Sequence, residues 1–292
     1  MSDTVIDAGL RRPVAAGAGV SGSALLRFVR RSPGLVAAAV VLLMAVGFAS
    51  APGLFAPGDP LSGVPREKLR GPSVTHWFGT DNLGRDVFTR FVHGTALSLS
   101  ATLLAVGIAL VVGTVLGLTA GFIGGLVDAV SMRVVDVLLS IPALLLSLAL
   151  VTALGFGTVN VAIAVGVAMV ANFARVMRSE VLRVRSALYV EAAFGSGVGR
   201  FHVVARHVLP NAYAPVIALA AVEFGQAVLA VSALSFLGFG AIPPTPEWGS
   251  LVSEGRGFLA NAWWMTTLPG LCIVAVVLAA HRVGHGIEGR NH

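Results

Sequence analysis

From Val137 to Ala174 the chain reads VLLSIPALLLSLALVTALGFGTVNVAIAVGVAMVANFA, without one charged side chain. A helix needs about 20 predominantly apolar residues to cross the hydrocarbon of a bilayer, so this stretch is too long for one crossing and suits two. Gly155-Phe156-Gly157 and Asn160 supply turn residues near its middle. They predict a third span over about Leu138 to Leu154 and a fourth over about Val159 to Val176. Working outward, the same test places the first span at about Gly34 to Ala51, introduced by Arg30, Arg31, Ser32 and Pro33. The second lies within Thr95 to Val127 with its best helical core at Leu97 to Ala120, the fifth at about Ala212 to Leu234, and the sixth at about Met265 to Ala280.

Composition agrees with six crossings. The 292 residues are 56% hydrophobic and only 12% charged, and a mean hydropathy of +0.87 leaves too little polar surface to face water all round. The expected fold is therefore an all-α integral membrane protein. Thirty-five glycines suit helices that pack closely in lipid better than alternating barrel strands. Cys272 is the single cysteine, which excludes an intramolecular disulfide or a cysteine metal cluster. Ala49-Ser50-Ala51 has the form of a signal-peptide cleavage site, but a long preceding segment, a long apolar run and Pro52 directly after it favour a retained helix.

The net charge of +6 resolves into topology. Nineteen of the 20 basic residues are Arg, and Lys68 is the one lysine. With the N-terminus inside, 14 fall on the cytoplasmic side: Arg11, Arg12, Arg27, Arg30, Arg31, Arg133, Arg175, Arg178, Arg183, Arg185, Arg200, Arg206, Arg282 and Arg290. Six fall outside, namely Arg66, Lys68, Arg70, Arg85, Arg90 and Arg256. The positive-inside rule then puts both termini in the cytoplasm, the four tryptophans Trp77, Trp248, Trp263 and Trp264 all lie outside where interfacial rings are favoured, and the surplus charge requires no nucleic-acid partner. The expected organisation is a cytoplasmic tail over residues 1–33, a first transmembrane helix over 34–51 and an external linker over 52–94. A helical membrane core over 95–286, with a cytoplasmic loop at 177–209, precedes a short cytoplasmic tail over 287–292.

Particular residues stand out. The inner loop carries Tyr189-Val190-Glu191-Ala192-Ala193-Phe194-Gly195-Ser196-Gly197 and, nine residues later, His207-Val208-Leu209-Pro210. Glu191 to Phe194 is helix-prone with a small-residue face, Gly197 permits a positive φ, and Pro210 suits the first turn of the following span. By itself this reads equally as a basic loop held by anionic lipid. Gly113, Gly117 and Gly121 recur every four residues, giving one small face for close helix approach. Pro142, Pro215 and Pro269 are candidate kinks. Glu223 is the one acid deep in an expected span, with Gln226 on the same helix and Asn172 on another. It either lines a water-filled pathway or hydrogen-bonds a neighbouring helix.

The inner-loop spacing, Glu-Ala-Ala, three residues, Gly, nine residues, two further residues and then a Leu-Pro pair, resembles the cytoplasmic signature of the membrane subunits of binding-protein-dependent ABC importers. Glu191, Ala192, Ala193, Gly197, Leu209 and Pro210 match it, and His207 stands where an aliphatic residue is usual. Two further stretches narrow the resemblance to the dipeptide, oligopeptide and nickel permease branch, second subunit type. They are His76-Trp77-Phe78-Gly79-Thr80-Asp81-Asn82-Leu83-Gly84-Arg85-Asp86, and Leu234-Ser235-Phe236-Leu237-Gly238-Phe239-Gly240 followed by Pro243-Pro244-Thr245-Pro246-Glu247-Trp248-Gly249. With Pro269-Gly270 the resemblance covers about Thr75 to Gly286.

The resemblance implies a type I ABC importer permease fold in a bacterial cytoplasmic membrane. It implies a coupling helix that docks on a separate ATPase, a homologous second permease completing a heterodimer, and an extracytoplasmic substrate-binding protein. Asp81, Arg85 and Asp86 either hold their loop together through ion pairs, weak when exposed, or join Pro244 and Trp248 in docking that binding protein. No cofactor is expected on this chain; ATP and magnesium belong to the ATPase, since a phosphate loop needs Gly-Lys-Ser or Gly-Lys-Thr and Lys68 lies between Glu67 and Leu69.

Other readings are weaker. Gly19-Val20-Ser21-Gly22 has the form of an intramembrane protease nucleophile but precedes the first span, so no catalytic residue is assigned. A secondary transporter would carry charged residues along several spans and inverted repeats. Nickel is the main alternative substrate, with His281 and His285 at i, i+4 but no third ligand, so no metal site is assigned.

Overall fold

The computed structural model describes residues 33–288. The tail bearing Arg11, Arg12, Arg27, Arg30, Arg31 and Ser32, the Gly19 to Gly22 sequence, Arg290 and the side chain of His285 lie outside what is described. Helix α1 (Pro33–Ser50) is the first span, followed by a single turn, α2 (Pro52–Phe55). An outer segment leads to α3 (Val87–Ile123), whose 37 residues begin well before the expected second span. Asp86 caps its start, accepting from the Thr89 N–H at 2.7 Å. Its first two turns, with the charge of Arg90, occupy part of what the sequence assigns to the outer linker.

A break at Gly124 (φ 73°) starts α4 (Gly125–Ser140), and α5 (Ala143–Leu154) follows. The expected continuous span from Leu138 to Leu154 is therefore divided. Ile141 is extended (φ −98°, ψ 129°) ahead of Pro142, and the two helices are bent by 96°. Proline removes the N–H and drives its predecessor out of the helical region, which is the cause of the bend. The turn at Gly155 (φ 93°) and Gly157 (φ 123°) stands where the sequence places it, and α6 (Thr158–Arg185) follows. Beyond it come α7 (Leu188–Gly195), the short α8 (Arg200–Val203), a π-helical turn over Val204–Val208, α9 (Leu209–Phe236), α10 (Trp248–Gly255) and α11 (Trp264–Glu288). No strand occurs among the described residues.

Glycines show how the helices run. Gly113 packs on Val170, Phe173 and Ala174, Gly117 on Ala174, Met177 and Arg178, and Gly121 on Arg178 and Val181, while Gly166 of α6 packs on Ala105 and Ile108. Residue numbers rise together in both helices, so α3 and α6 are parallel, and residues 124–157 must return the chain across the membrane. A twelve-residue α5 rises about 18 Å, short of a hydrocarbon core of about 30 Å, so the bent α4–α5 pair shares that crossing. Gly225 against His281 and Gly284 against Val222 show α9 and α11 antiparallel. Gly34 at the start of α1 lies against the Arg282 guanidinium near the end of α11. Five helices are long and apolar enough to cross a membrane, and the bent α4–α5 pair counted as one span makes six.

The buried centre lies among α3, α6 and α9, where Ala105, Ala109, Phe173, Met177, Ala212, Val216 and Leu234 meet. At the α7 end of the bundle, Arg178 grips Asp128 of α4 through Nε and Nη2 at 2.5 and 2.6 Å. Arg185 closes the end of α3, donating to the Phe122 carbonyl at 3.0 Å.

Candidate functional site

Glu223 and Asn172 are each the fifteenth residue of a 28-residue helix, α9 and α6. Asn172 Nδ2 donates to Glu223 Oε1 at 2.9 Å. Both side chains are half-buried and line a recess of about 440 Å³ between α5, α6 and α9, whose other walls include Ala143, Leu144, Ser147, Val165, Met169 and Leu229. Gln226, also on this wall, lies 3.3 Å from His281 Nε2. Glu223 is thus hydrogen-bonded to a neighbouring helix and also borders a recess.

At the opposite end from Gly155, α7 stands as a short outlying helix. Val190 is fully buried and joins Val203 and Val208 in the core, fixing one edge of the helix to the bundle. Glu191, Ala192 and Gly197 face outward and Ala193 is half-buried. Gly197 adopts φ 81°, and its N–H bonds the Phe194 carbonyl at 3.0 Å. Leu209 and Pro210 form the first turn of α9, as the spacing predicts. Around α7 lie apolar side chains that sequence reading did not single out, Leu188 at 83% exposure and Phe201 at 85%.

At the outer end the structure shows the ion pairs that were one of the two readings of this loop. Asp81, Arg85 and Trp248, named above as docking candidates, are buried, whereas Asp86 is half-buried and Pro244 is exposed. Arg85 Nε donates to Asp81 Oδ2 at 2.6 Å, and Arg90 Nη1 reaches the same oxygen at 3.1 Å. Arg90 also forks onto Glu254 of α10 at 2.5 and 3.1 Å, with Arg85 Nη2 3.2 Å from that carboxylate. Two guanidiniums and two carboxylates neutralise one another, so these charges clamp the outer segment to α10 rather than presenting themselves to a partner. Trp248 stacks on Phe91 with centroids 5.2 Å apart and planes 3° from parallel, and its indole N–H donates to Thr95 Oγ1 at 3.2 Å. Trp264 is buried too, donating to the Thr80 carbonyl at 3.2 Å, which leaves Trp77 and Trp263 as the exposed rings. Asp86, besides capping α3, binds His76 Nδ1 at 2.7 Å.

Glu247, which the sequence reading passed over, is fully buried beside Trp248, and its Oε2 accepts from the Ala241 N–H at 3.1 Å. Burial pushes its carboxyl above the ordinary value of 4.5. Among the described residues no group of three or more His, Cys, Asp or Glu side chains is placed to hold a metal ion.

A bundle of long apolar helices around a mid-depth polar pair, with a short exposed helix at one end, defines a multi-pass integral membrane protein. Residues 113–290 match the family described as binding-protein-dependent transport system inner membrane component, and the chain belongs to that family. It is 43% identical over 224 residues to the dipeptide transport system permease protein DppC of Alkalihalophilus pseudofirmus, covering 77% of this chain and 74% of that one. It is 37% identical to the probable D,D-dipeptide transport system permease protein DdpC of Escherichia coli, covering 92% and 90%. Identity is 36% to the glutathione transport system permease protein GsiD of Pectobacterium atrosepticum, with 90% and 87% covered. In fold it is similar to an inward-facing MetNI methionine ABC transporter chain, with a TM-score of 0.55, 18% identity, and 68% of this chain and 96% of that chain covered. The protein is thus a multi-pass component of the bacterial inner membrane with the type I ABC importer permease fold.

Proposed function

We propose that this protein is the permease subunit of an ATP-driven importer that carries dipeptides and short oligopeptides into the cell. It pairs with a homologous second permease, and the bound ATP and magnesium reside on separate ATPase subunits. The observation that carries this reading is the exposed α7, anchored through Val190 and ringed by Leu188 and Phe201, within a chain whose relatives are named as dipeptide and glutathione permeases. In this reading α7 enters a groove of the ATPase, Glu191, Ala192 and Gly197 set its fit, and Leu209 and Pro210 join it to α9. Closure of the ATPase dimer pushes α7, and α6 and α9 transmit the displacement to the recess at Asn172 and Glu223. The α7 end is cytoplasmic because Arg175, Arg178, Arg183, Arg185, Arg200 and Arg206 cluster there. The external substrate-binding protein docks at the other end on exposed side chains such as Pro244 and Ile242, with the buried Asp81, Arg85 and Trp248 shaping that surface from beneath.

Reconstitution of the full complex tests this. Glu191→Lys and Ala192→Trp should leave the protein inserted but abolish co-purification of the ATPase and peptide uptake. Undiminished ATPase association and transport in both variants would overturn the assignment of α7.

A further inference from the structure

The recess at mid-membrane has a chemistry more specific than a passage. Its walls are mostly aliphatic, and Glu223 is the one charged side chain lining it. Among the described residues Glu223 makes no ion pair, and its bonded neighbour is the neutral Asn172. A carboxylate at the centre of a span costs a few kcal/mol unless something offsets it, and an amide hydrogen bond to one oxygen offsets only part. A carboxylate oxygen accepts, so the Asn172 amide nitrogen must face Oε1, and Asn172 Oδ1 is thereby turned to the other side. Among the described residues the second carboxylate oxygen and Asn172 Oδ1 accept no hydrogen bond, the Gln226 amide nitrogen being directed at His281. Carbonyl and carboxylate acceptors in an aliphatic cavity are suited to a compact, multi-donor cation and unsuited to an anion.

We propose that Glu223, positioned by Asn172, receives the α-ammonium group of the peptide as it passes through the recess. The aliphatic walls from α5 and α6 accommodate side chains of varied size without selecting among them, while the one invariant positive group of a peptide is held by the one fixed negative group. A single ion contact in a half-exposed recess also lets the peptide leave again, as conduction requires. This inference rests on the peptide-importer reading and adds to it the group of the substrate that is recognised inside the membrane.

The test uses the complete transporter in proteoliposomes, with radiolabelled dialanine outside and ATP within. Glu223→Gln keeps an oxygen for the Asn172 N–H but lacks the charge, so the complex should assemble in normal yield. Its dialanine uptake should fall by roughly tenfold or more, the loss of a charge-assisted hydrogen bond of about 1.5–3 kcal/mol. With Glu223 retained, a Leu229→Cys variant in a Cys272→Ala background should react faster with a cationic than with an anionic methanethiosulfonate reagent, and dialanine should slow that reaction. Wild-type uptake by Glu223→Gln, or a Leu229→Cys thiol that shows no preference for the cationic reagent, would overturn the proposal while leaving the importer reading intact. Wild-type complex that takes up nickel chloride and not dialanine would instead overturn the peptide reading, whatever the variants do.

Discussion

The guanidinium of Arg90, buried to 1% exposure, forks onto the carboxylate of Glu254, 164 residues later in the chain. This pair joins the first turn of α3 to α10 and explains how a span can begin with a charge inside the protein. Removing Glu254 leaves Arg85 and Arg90 sharing the single carboxylate of Asp81, so one buried positive charge loses its compensation, a change that costs up to about 3–5 kcal/mol. Glu254→Ala should therefore lower the melting temperature of the detergent-purified protein severely. The double variant Arg90→Met/Glu254→Met should recover much of that loss, because apolar side chains of similar volume need no compensation. A double variant no more stable than Glu254→Ala would show that the fork does more than neutralise charge.

Helix approach at α3 and α6 gives a second expectation. A methyl group at Gly117 would meet the backbone of Ala174 and Arg178, whereas one at Gly107 meets nothing within 4 Å. Gly117→Ala should destabilise by about 1–3 kcal/mol through overpacking. Gly107→Ala on the same helix should be neutral or stabilise by about 0.5–1 kcal/mol through reduced backbone entropy. Thermal unfolding of the two variants side by side separates packing from propensity.

Glu247 makes stability depend on pH. Burial raises its folded-state pKa above 4.5, so above about pH 4.5 the unfolded chain has lost a proton that the folded chain still binds. Stability attributable to this group is greatest below that window and falls as pH rises through it. Glu247→Gln has no proton to lose and keeps an acceptor for the Ala241 N–H. Its melting temperature should exceed that of the wild type at pH 7 and converge with it near pH 4. Parallel curves for the two proteins between pH 4 and 8 would rule this origin out.

Asp86 caps α3 through the Thr89 N–H and also binds His76. Asp86→Ala should cost about 1 kcal/mol, and Asp86→Ser should restore most of it because a hydroxyl oxygen can cap in the same way. If Ser and Ala behaved alike, the His76 contact rather than the cap would be the stabilising one.

Much of this architecture is legible in the chain, because hydropathy and turn chemistry are local properties. The Gly155 to Gly157 turn, the glycine face of α3 and the Pro210 start of α9 stand where residue patterns place them. The count of six crossings also follows from apolar length, and the parallel run of α3 and α6 agrees with it. Boundaries failed where a charge was taken as a stop: Arg90 lies in the helix because Glu254 and Asp81 neutralise it. The third span failed for a different reason. Its composition is apolar throughout, but Pro142 divides it, and only the amphipathic α4, held by Arg178 to Asp128, can share the crossing.

The sequence by itself determined that the protein spans the membrane, which segment forms the outlying α7 and which acid lies at mid-depth, since each depends on residues close together in the chain. Tertiary structure alone decided which charges are exposed and which are paired. Asp81 and Arg85 are buried beneath the outer surface because α10 supplies Glu254, and Glu223 borders a recess because Asn172, 51 residues away, meets it there. The free energy of a charge depends on what surrounds it, and in this chain those surroundings come from distant segments.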